Sequence, residues 1–486
     1  MTKIDALHEL IHSLSKSEKR YFKLFCSRES SGGNYLRLFN AIDKQSQYDE
    51  QAIKKAFRKE VFVGQLHVTK NYLRRLILKS LRNYHAGISK DAELKDVLRN
   101  VEILYNKELF RQCDLELRRA DAIAGKHELL TGKVEVETWK RKLAQTLQPH
   151  GYKTFKQTLV TQRAAIDALQ STNDHWQLAV NVSSGMLNPQ GNVAIRNVSL
   201  KNQGNAQTLE ARVLHFNTQY LLDLRNDDNA SAEKRLTELI TLLECHPQRI
   251  AEEPGMYVSS INNLLSFFVF QKRHAEGLLL IQKAKAVFEG WKITASNRTL
   301  LKQILRTYNI ELEIYRDSKT FQQESDFIKS TEEFIEKNAY KIPKDYLVSF
   351  WFQLASIHFM RKNFSRSLEW ISHILNTRFK GVRTDLQVQA QILNLMVHME
   401  QQNLMVLRYF VDSIRRYMKK VKYAYPYIEV LLKFFIRIAG VPLLEYKQAF
   451  QELKKSLFPE AEKSLIPEQL SGYIDYREWI GGKVSH

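Results

Sequence analysis

Residues 351–376 read WFQLASIHFMRKNFSRSLEWISHILN, and the spacing inside this stretch decides the fold. Counting from Trp351, side chains of one register fall at +3 and +4 (Leu354, Ala355), +7 and +8 (His358, Phe359), +13 (Phe364), +16 (Ser367), +20 (Ile371) and +23 (Ile374). Steps of three and four put such side chains along one side of a helix, so the stretch reads as amphipathic helix with an apolar stripe to bury. Nothing in it alternates as a half-buried strand would.

Other windows follow the same plan. Residues 261–284, INNLLSFFVFQKRHAEGLLLIQKA, place Leu264, Leu265, Phe268, Gly277, Leu278, Ile281 and Ala284 at equivalent positions. Residues 308–334 supply Tyr308, Leu312, Tyr315, Phe321 and Ile328; residues 97–124 supply Val97, Val101, Leu104, Phe110, Cys113, Leu117 and Ala120. Residues 391–414 continue with Leu395, His398, Leu407, Val411 and Ile414. The pattern resembles the tetratricopeptide repeat: a bulky residue opens a first helix, a small one marks where two helices cross, an aromatic stands at the turn and a second small residue comes early in the next helix. His358 stands where that family prefers Tyr, and Phe379 where it prefers Pro. The openings at 261, 308, 351 and 391 are 47, 43 and 40 residues apart, against about 34 in the family. The helices must be longer or the turns wider. The resemblance implies an all-α chain: a right-handed α-solenoid of degenerate helix pairs whose stacked neighbours bury one continuous core. The competing architecture is an irregular helical bundle.

If the resemblance holds, positions −2, +1, +5 and +8 from each opening residue face a concave groove that takes a protein segment. In the 308 window these are Arg306, Asn309, Glu313 and Arg316; in the 261 window Ser259, Asn262, Ser266 and Val269; in the 351 window Ser349, Phe352, Ser356 and Phe359. Asn262 and Asn309 recur at one place, and an Asn amide pairs with both polar groups of a peptide backbone. Arg306 and Arg316 beside them suit a carboxylate. The same positions read equally well as solvated residues on an idle face.

Charge divides the chain. The formal net charge is +20, and residues 1–90 carry 18 Lys+Arg against 8 Asp+Glu, half of that excess. The expected organisation is a basic N-terminal helical unit over 1–90, first repeat-like helices over 91–185, an irregular polar loop with a possible small hairpin over 186–206, and a repeat array over 207–486 closed by a capping helix that bears Tyr473, Ile474 and Trp479. Within the basic unit, a helix near 49–59, a turn and a helix over 66–85 suit helix-turn-helix contact with DNA or phosphate contact with RNA through Lys70, Arg74, Arg75, Lys79 and Arg82. The interleaved Leu66, Tyr72, Leu73, Leu76, Ile77 and Leu81 argue that much of that helix is core. A second cluster, RRYMKKVKY at 415–423, reads as a solvated helix end.

One motif suggests catalysis. HELIH at 8–12 has the histidine spacing of zinc proteases, in which the intervening glutamate polarises metal-bound water. A third ligand is missing downstream, and on a helical wheel Ile4, Leu7, Leu10, Ile11 and Leu14 form the apolar stripe while His8 and His12 flank it and Glu9 faces away. The motif reads as a packing helix. GKHELLTGK at 125–133 lacks phosphate-loop spacing, so the expectation is a chain with no catalytic residue, no metal and no cofactor. Cys26, Cys113 and Cys245 are odd in number and far apart, which suits buried thiols in a reducing compartment. No signal-peptide pattern and no apolar run of membrane-spanning length occurs, so a cytoplasmic location is expected. The expected function is a scaffold or regulator that binds a protein or peptide partner; the alternative is a nucleic-acid-binding regulator.

Overall fold

The structure, a computed structural model, describes residues 5–27, 32–87, 89–147, 152–187, 206–289, 298–319, 325–377, 381–459, 464–467 and 472–484. Every regular element among them is helical. The chain separates into two compact units, residues 1–215 and 216–486.

The first unit holds two distinct cores. Helices α1 (Ala6–Ser13), α2 (Lys16–Ser27), α3 (Gly32–Asp43), α4 (Glu50–Ala56) and α5 (Leu66–Tyr84) enclose Leu7, Ile11, Phe22, Leu38, Phe39, Ile42, Leu73 and Ile77. Asp5 starts α1 by accepting the backbone N–H groups of Leu7 and His8 at 3.0 and 3.1 Å, satisfying donors that a helix start leaves orphaned. A 3-10 turn over Val61–Gln65 leads into α5, whose buried stripe runs Leu66, Thr69, Leu73, Leu76, Ile77, Ser80. Helices α6 (Lys90–Asn106), α7 (Phe110–Lys126) and α8 (Leu130–Leu147) build the second core from Leu94, Val97, Val101, Cys113, Leu117, Ala120 and Val136, and α9 (Tyr152–Leu187) packs on α8. Helix α10 (Leu209–Arg225) runs across the division between the units.

In the second unit the helices are α11 (Asn229–Glu244), α12 (Pro247–Glu252), α13 (Pro254–Phe270), α14 (His274–Phe288), α15 (Arg298–Ser318), α16 (Ser325–Asn338), α17 (Lys344–Met360), α18 (Phe364–Asn376), α19 (Thr384–Glu400), α20 (Leu407–Val421), α21 (Pro426–Ile438), α22 (Tyr446–Leu457) and α23 (Tyr476–Val484). Sequence neighbours pair: α13 with α14, α17 with α18, α19 with α20. Alternate helices also pack side by side, α13 on α15, α15 on α17 and α17 on α19. A helix flanked by its own partner and by two others is covered on most of its sides. Accordingly α17 and α19 are buried over most of their length, with Phe350, Phe352, Leu354 and Ile357 in the core on one and Val388, Ile392, Leu395 and Met396 on the other.

One turn recurs. Glu108, Glu128, Asp227, Lys272, Lys362 and Gln402 take a left-handed backbone, with φ from 49 to 60°. In each case the next N–H reaches back five residues: Leu109 to Leu104 O (3.0 Å), Leu129 to Ala124 O (2.9 Å), Asp228 to Asp223 O (2.9 Å), Arg273 to Phe268 O (2.7 Å), Asn363 to His358 O (2.9 Å) and Asn403 to His398 O (2.9 Å). This bond closes the helix C-terminus and aims the chain straight into the next helix. Five residues after the left-handed position the side chain is buried in Cys113, Ala232, Gly277, Ser367 and Leu407. Ser367 donates its hydroxyl to Ala355 O at 2.8 Å, and a Cβ on Gly277 would stand 2.9 Å from Ile314 Cδ1. Where that residue is small, as at Gly277 and Ser367, two helix axes can approach closely.

The C-terminal segment differs from expectation. Rather than only closing the end of the row, it runs back across it: Trp479 packs on Phe434, Phe435 and Phe450, Tyr476 donates to Gln389 Oε1 at 3.0 Å, Trp479 donates to Glu400 at 3.1 Å, and Lys319 pairs with Glu478. Segment 188–205, with the hairpin expected inside it, lies outside the described residues, as do Phe321 and Phe379.

Candidate binding cavity

Positions 306, 309, 313 and 316 share one face of α15, because steps of three and four return to the same side of a helix. Opposite them α17 presents Asp345, Tyr346, Ser349, Phe352 and Gln353, and the stretch entering α19 adds Arg383 and Leu386. Between these walls lies a cavity of about 340 Å3, with Tyr473 from the C-terminal segment in its lining.

The charges inside are unevenly matched. Arg306 donates from Nη1 to Asn263 Oδ1 at 2.8 Å and from Nη2 to Ser266 Oγ at 3.0 Å, both neutral, and no carboxylate pairs with it among the described residues. Burial pulls its guanidinium below the usual value, against a partial pull from the Tyr220 and Tyr346 phenols. Asn309 accepts the Ser349 hydroxyl at 3.1 Å, which fixes its oxygen and leaves its amide nitrogen without a partner among the described residues. Glu313 is strongly desolvated, which pushes its carboxyl up despite Arg316 at 3.6 Å. Its side chain still keeps 35% of its surface open, because that surface faces the cavity.

The other charged groups are satisfied. Arg316 is buried and donates to Gln353 Oε1 (2.9 Å) and Gly472 O (2.8 Å), with Asp317 at 2.7 Å. Arg383 holds Asp385 at 2.8 Å and the Tyr473 hydroxyl at 3.0 Å, while that hydroxyl donates to Asp385 at 2.7 Å. Burial alone would raise the Asp385 carboxyl; these two donors overcome it and hold it below the usual range. Burial and the bond to Asp385 push Tyr473 up to about 12.

Of the groove residues expected from the sequence, Arg306, Asn309 and Phe352 line this cavity, with Glu313 and Ser349. Arg316 borders it in a closed network. Asn262 lies elsewhere: it is fully buried, donates to Gln303 O (2.9 Å) and Gln303 Oε1 (3.1 Å), and accepts from Thr307 at 2.9 Å. No amide atom of Asn262 is left for a ligand. Phe359 is also out of the cavity; it packs against Phe364 at the turn, ring centroids 5.9 Å apart. Asp345, Tyr346, Arg383 and Tyr473 escaped the sequence reading, since the repeat rule counts only from opening residues and Tyr473 arrives from 120 or so residues downstream of Phe352.

The basic helix also divides. Lys70 belongs to the interior: it pairs with Asp5 and donates to the Tyr48 hydroxyl at 2.7 Å. Arg74, Arg75 and Arg82 are exposed on α5 and make no ion pair among the described residues; Lys79 is exposed beside the Phe25 ring. In HELIH, His8 Nε2 lies 2.9 Å from Gln45 O, the His12 ring lies tilted against His8 with centroids 4.2 Å apart and Glu9 is exposed. Among the described residues no group of three or more ligand-type side chains gathers there or elsewhere. Cys26 and Cys113 are buried, but Cys245 is exposed at the end of α11, contrary to the expectation of three buried thiols. Residues 415–421 form the end of α20 and Lys422 caps it, while Arg415 pairs with Glu429 and Lys419 and Lys420 are exposed. No helix among the described residues is long and apolar enough to cross a membrane.

No family model, no curated protein and no solved structure matches this chain.

Proposed function

We propose that the chain is a non-catalytic binding protein, a scaffold or regulator that holds a segment of a protein partner in the cavity between α15 and α17. The observation that carries the reading is the Arg306 guanidinium: desolvated, aimed into a cavity, held only by neutral groups and lacking a carboxylate. A half-buried cation loses part of its hydration and gains from a counter-charge, and an incoming acidic group would supply one. The recurring left-handed turn and the small residues after it support an array of tetratricopeptide-like pairs, which presents such a face on successive first helices. Affinity capture from native extract with the unaltered protein and with Arg306→Gln and Asn309→Ala tests it. A protein retained by the former and released by both variants is the expected result; an identical set on all three would sink the reading.

A second reading rests on α5. Arg74, Arg75 and Arg82 stand exposed on a helix that follows a short turn, an arrangement that suits the phosphates of nucleic acid. Each phosphate contact adds roughly 0.9 to the slope of log affinity against log salt. Changing the three arginines to Glu should therefore flatten that slope for duplex DNA or RNA by about 3. A slope unchanged in the variant removes the reading.

A further inference from the structure

The cavity has two unequal ends, and together they specify more than a generic peptide. Arg306 and Glu313 share the inner face of α15, and seven residues at ~1.5 Å rise set their Cα atoms about 10 Å apart along the axis. At one end stands a guanidinium with neutral partners only. At the other stands a desolvated carboxyl that accepts no hydrogen bond among the described residues and has Arg316 as its nearest cation, at 3.6 Å. Arg316 is itself committed to Asp317, Gln353 and Gly472. Between the two ends lie the Asn309 amide and the Ser349 hydroxyl.

The face does not stay open beyond Glu313. There the chain's own C-terminal segment covers it: Gly472 O takes the Arg316 guanidinium, Tyr473 stacks edge-on against Phe352 at 5.9 Å, and Tyr476 reaches Gln389. Tyr473 is thus an end wall, held at its hydroxyl by Arg383 and Asp385. An extended chain advances ~3.3 Å per residue, so about three residues fit between the two charged ends.

We infer that the cavity binds a peptide end of about three residues: a C-terminal carboxylate on Arg306, and a cationic amine on Glu313. The inference rests on the peptide-binding reading above. The amine is the α-amino group of a free tripeptide or a lysine side chain near the C-terminus of a longer protein; the chemistry at Glu313 is the same. Asn309 meets the backbone between the two charges. An amine at Glu313 supplies the partner that Arg316 is too committed to provide.

Isothermal titration of the full chain with synthetic tripeptides tests this. One arm uses free termini; others carry a C-terminal amide or an N-terminal acetyl; a further arm uses two to five residues, and another a longer peptide ending in Lys-Ala-Ala. Free tripeptides should bind, amidation should weaken binding at least tenfold, and acetylation should do so unless a lysine replaces the lost amine. Arg306→Gln should erase the penalty for amidation, and Glu313→Gln the penalty for acetylation, with both variants checked by circular dichroism and thermal melting. If the lysine-bearing long peptide binds and free tripeptides do not, the source is a protein terminus; the reverse result marks free peptides. Binding of amidated, acetylated and free peptides alike overturns the inference but leaves the peptide-binding reading standing. Binding of no peptide by a folded protein overturns both.

Discussion

Asn262 and Asn309 occupy one register on α13 and α15, and the structure gives them opposite fates. Asn262 is sealed, with two hydrogen bonds donated to Gln303 and one accepted from Thr307. Replacing it with Ala removes all three at about 1 kcal/mol each, a loss of roughly 3 kcal/mol. In a unit of this size that lowers the melting temperature by about 6–12 °C. Asn309 has one hydrogen bond, from Ser349, and faces open space. Asn309→Ala should leave the melting temperature within about 3 °C of the unaltered protein, yet weaken peptide binding roughly five- to thirtyfold through the loss of one or two ligand bonds. Thermal melts followed by circular dichroism, paired with titration of the same samples, separate the two effects. If Asn262→Ala melts with the unaltered protein, or if Asn309→Ala is the less stable of the two, the assignment of one as a pin and the other as a contact is wrong.

Glu332 links α16, α17 and α18 by accepting from His358 and Trp370, both at 2.8 Å, with Arg366 at 3.3 Å. Burial alone would raise its carboxyl, but these donors hold it below the usual carboxylate value. A depressed carboxylate stabilises above its unfolded pKa and loses that contribution as pH falls through its folded value. Acid unfolding of the second unit should therefore steepen below the ordinary glutamate range and flatten in Glu332→Gln, a difference that fluorescence-detected acid titration will show or deny. Lys362 pays a left-handed strain that glycine avoids, so Lys362→Gly should stabilise by up to about 1 kcal/mol; a destabilised variant in urea melts would contradict the turn. Ser367→Leu pushes a large side chain into the crossing of α17 and α18 and should cost about 1–3 kcal/mol, measured in the same way.

The helix pair at 344–376 was legible because a stripe, a break and a small residue are all local features. The burial of Asn262 was not, since what seals it comes from Gln303 and Thr307, some forty residues on. Register alone places Phe359 in the groove, but the following turn folds Phe364 against it. The interior place of Lys70 did leave a signal: it falls four residues after Leu66 and three before Leu73, inside the apolar stripe of α5, where a lysine needs a buried acid. Arg74, Arg75 and Arg82 miss that stripe and are exposed. The wall that the C-terminal segment adds to the cavity carried no signal at all, because Arg316 and Gly472 are brought together only by the packing of the second unit.

The recurring left-handed turn also bears on why these helix pairs keep no fixed spacing. The windows opening at 261, 308, 351 and 391 stand 47, 43 and 40 residues apart, yet Gly277, Ser367 and Leu407 are each buried five positions after a left-handed turn. Distance is therefore measured from the corner and not from the start of a helix, so turns of helix can be added at the far end while the crossing stays in place. Such a chain tolerates growth by insertion the way a folding rule tolerates longer arms: the hinge fixes the geometry, and the lengths are free.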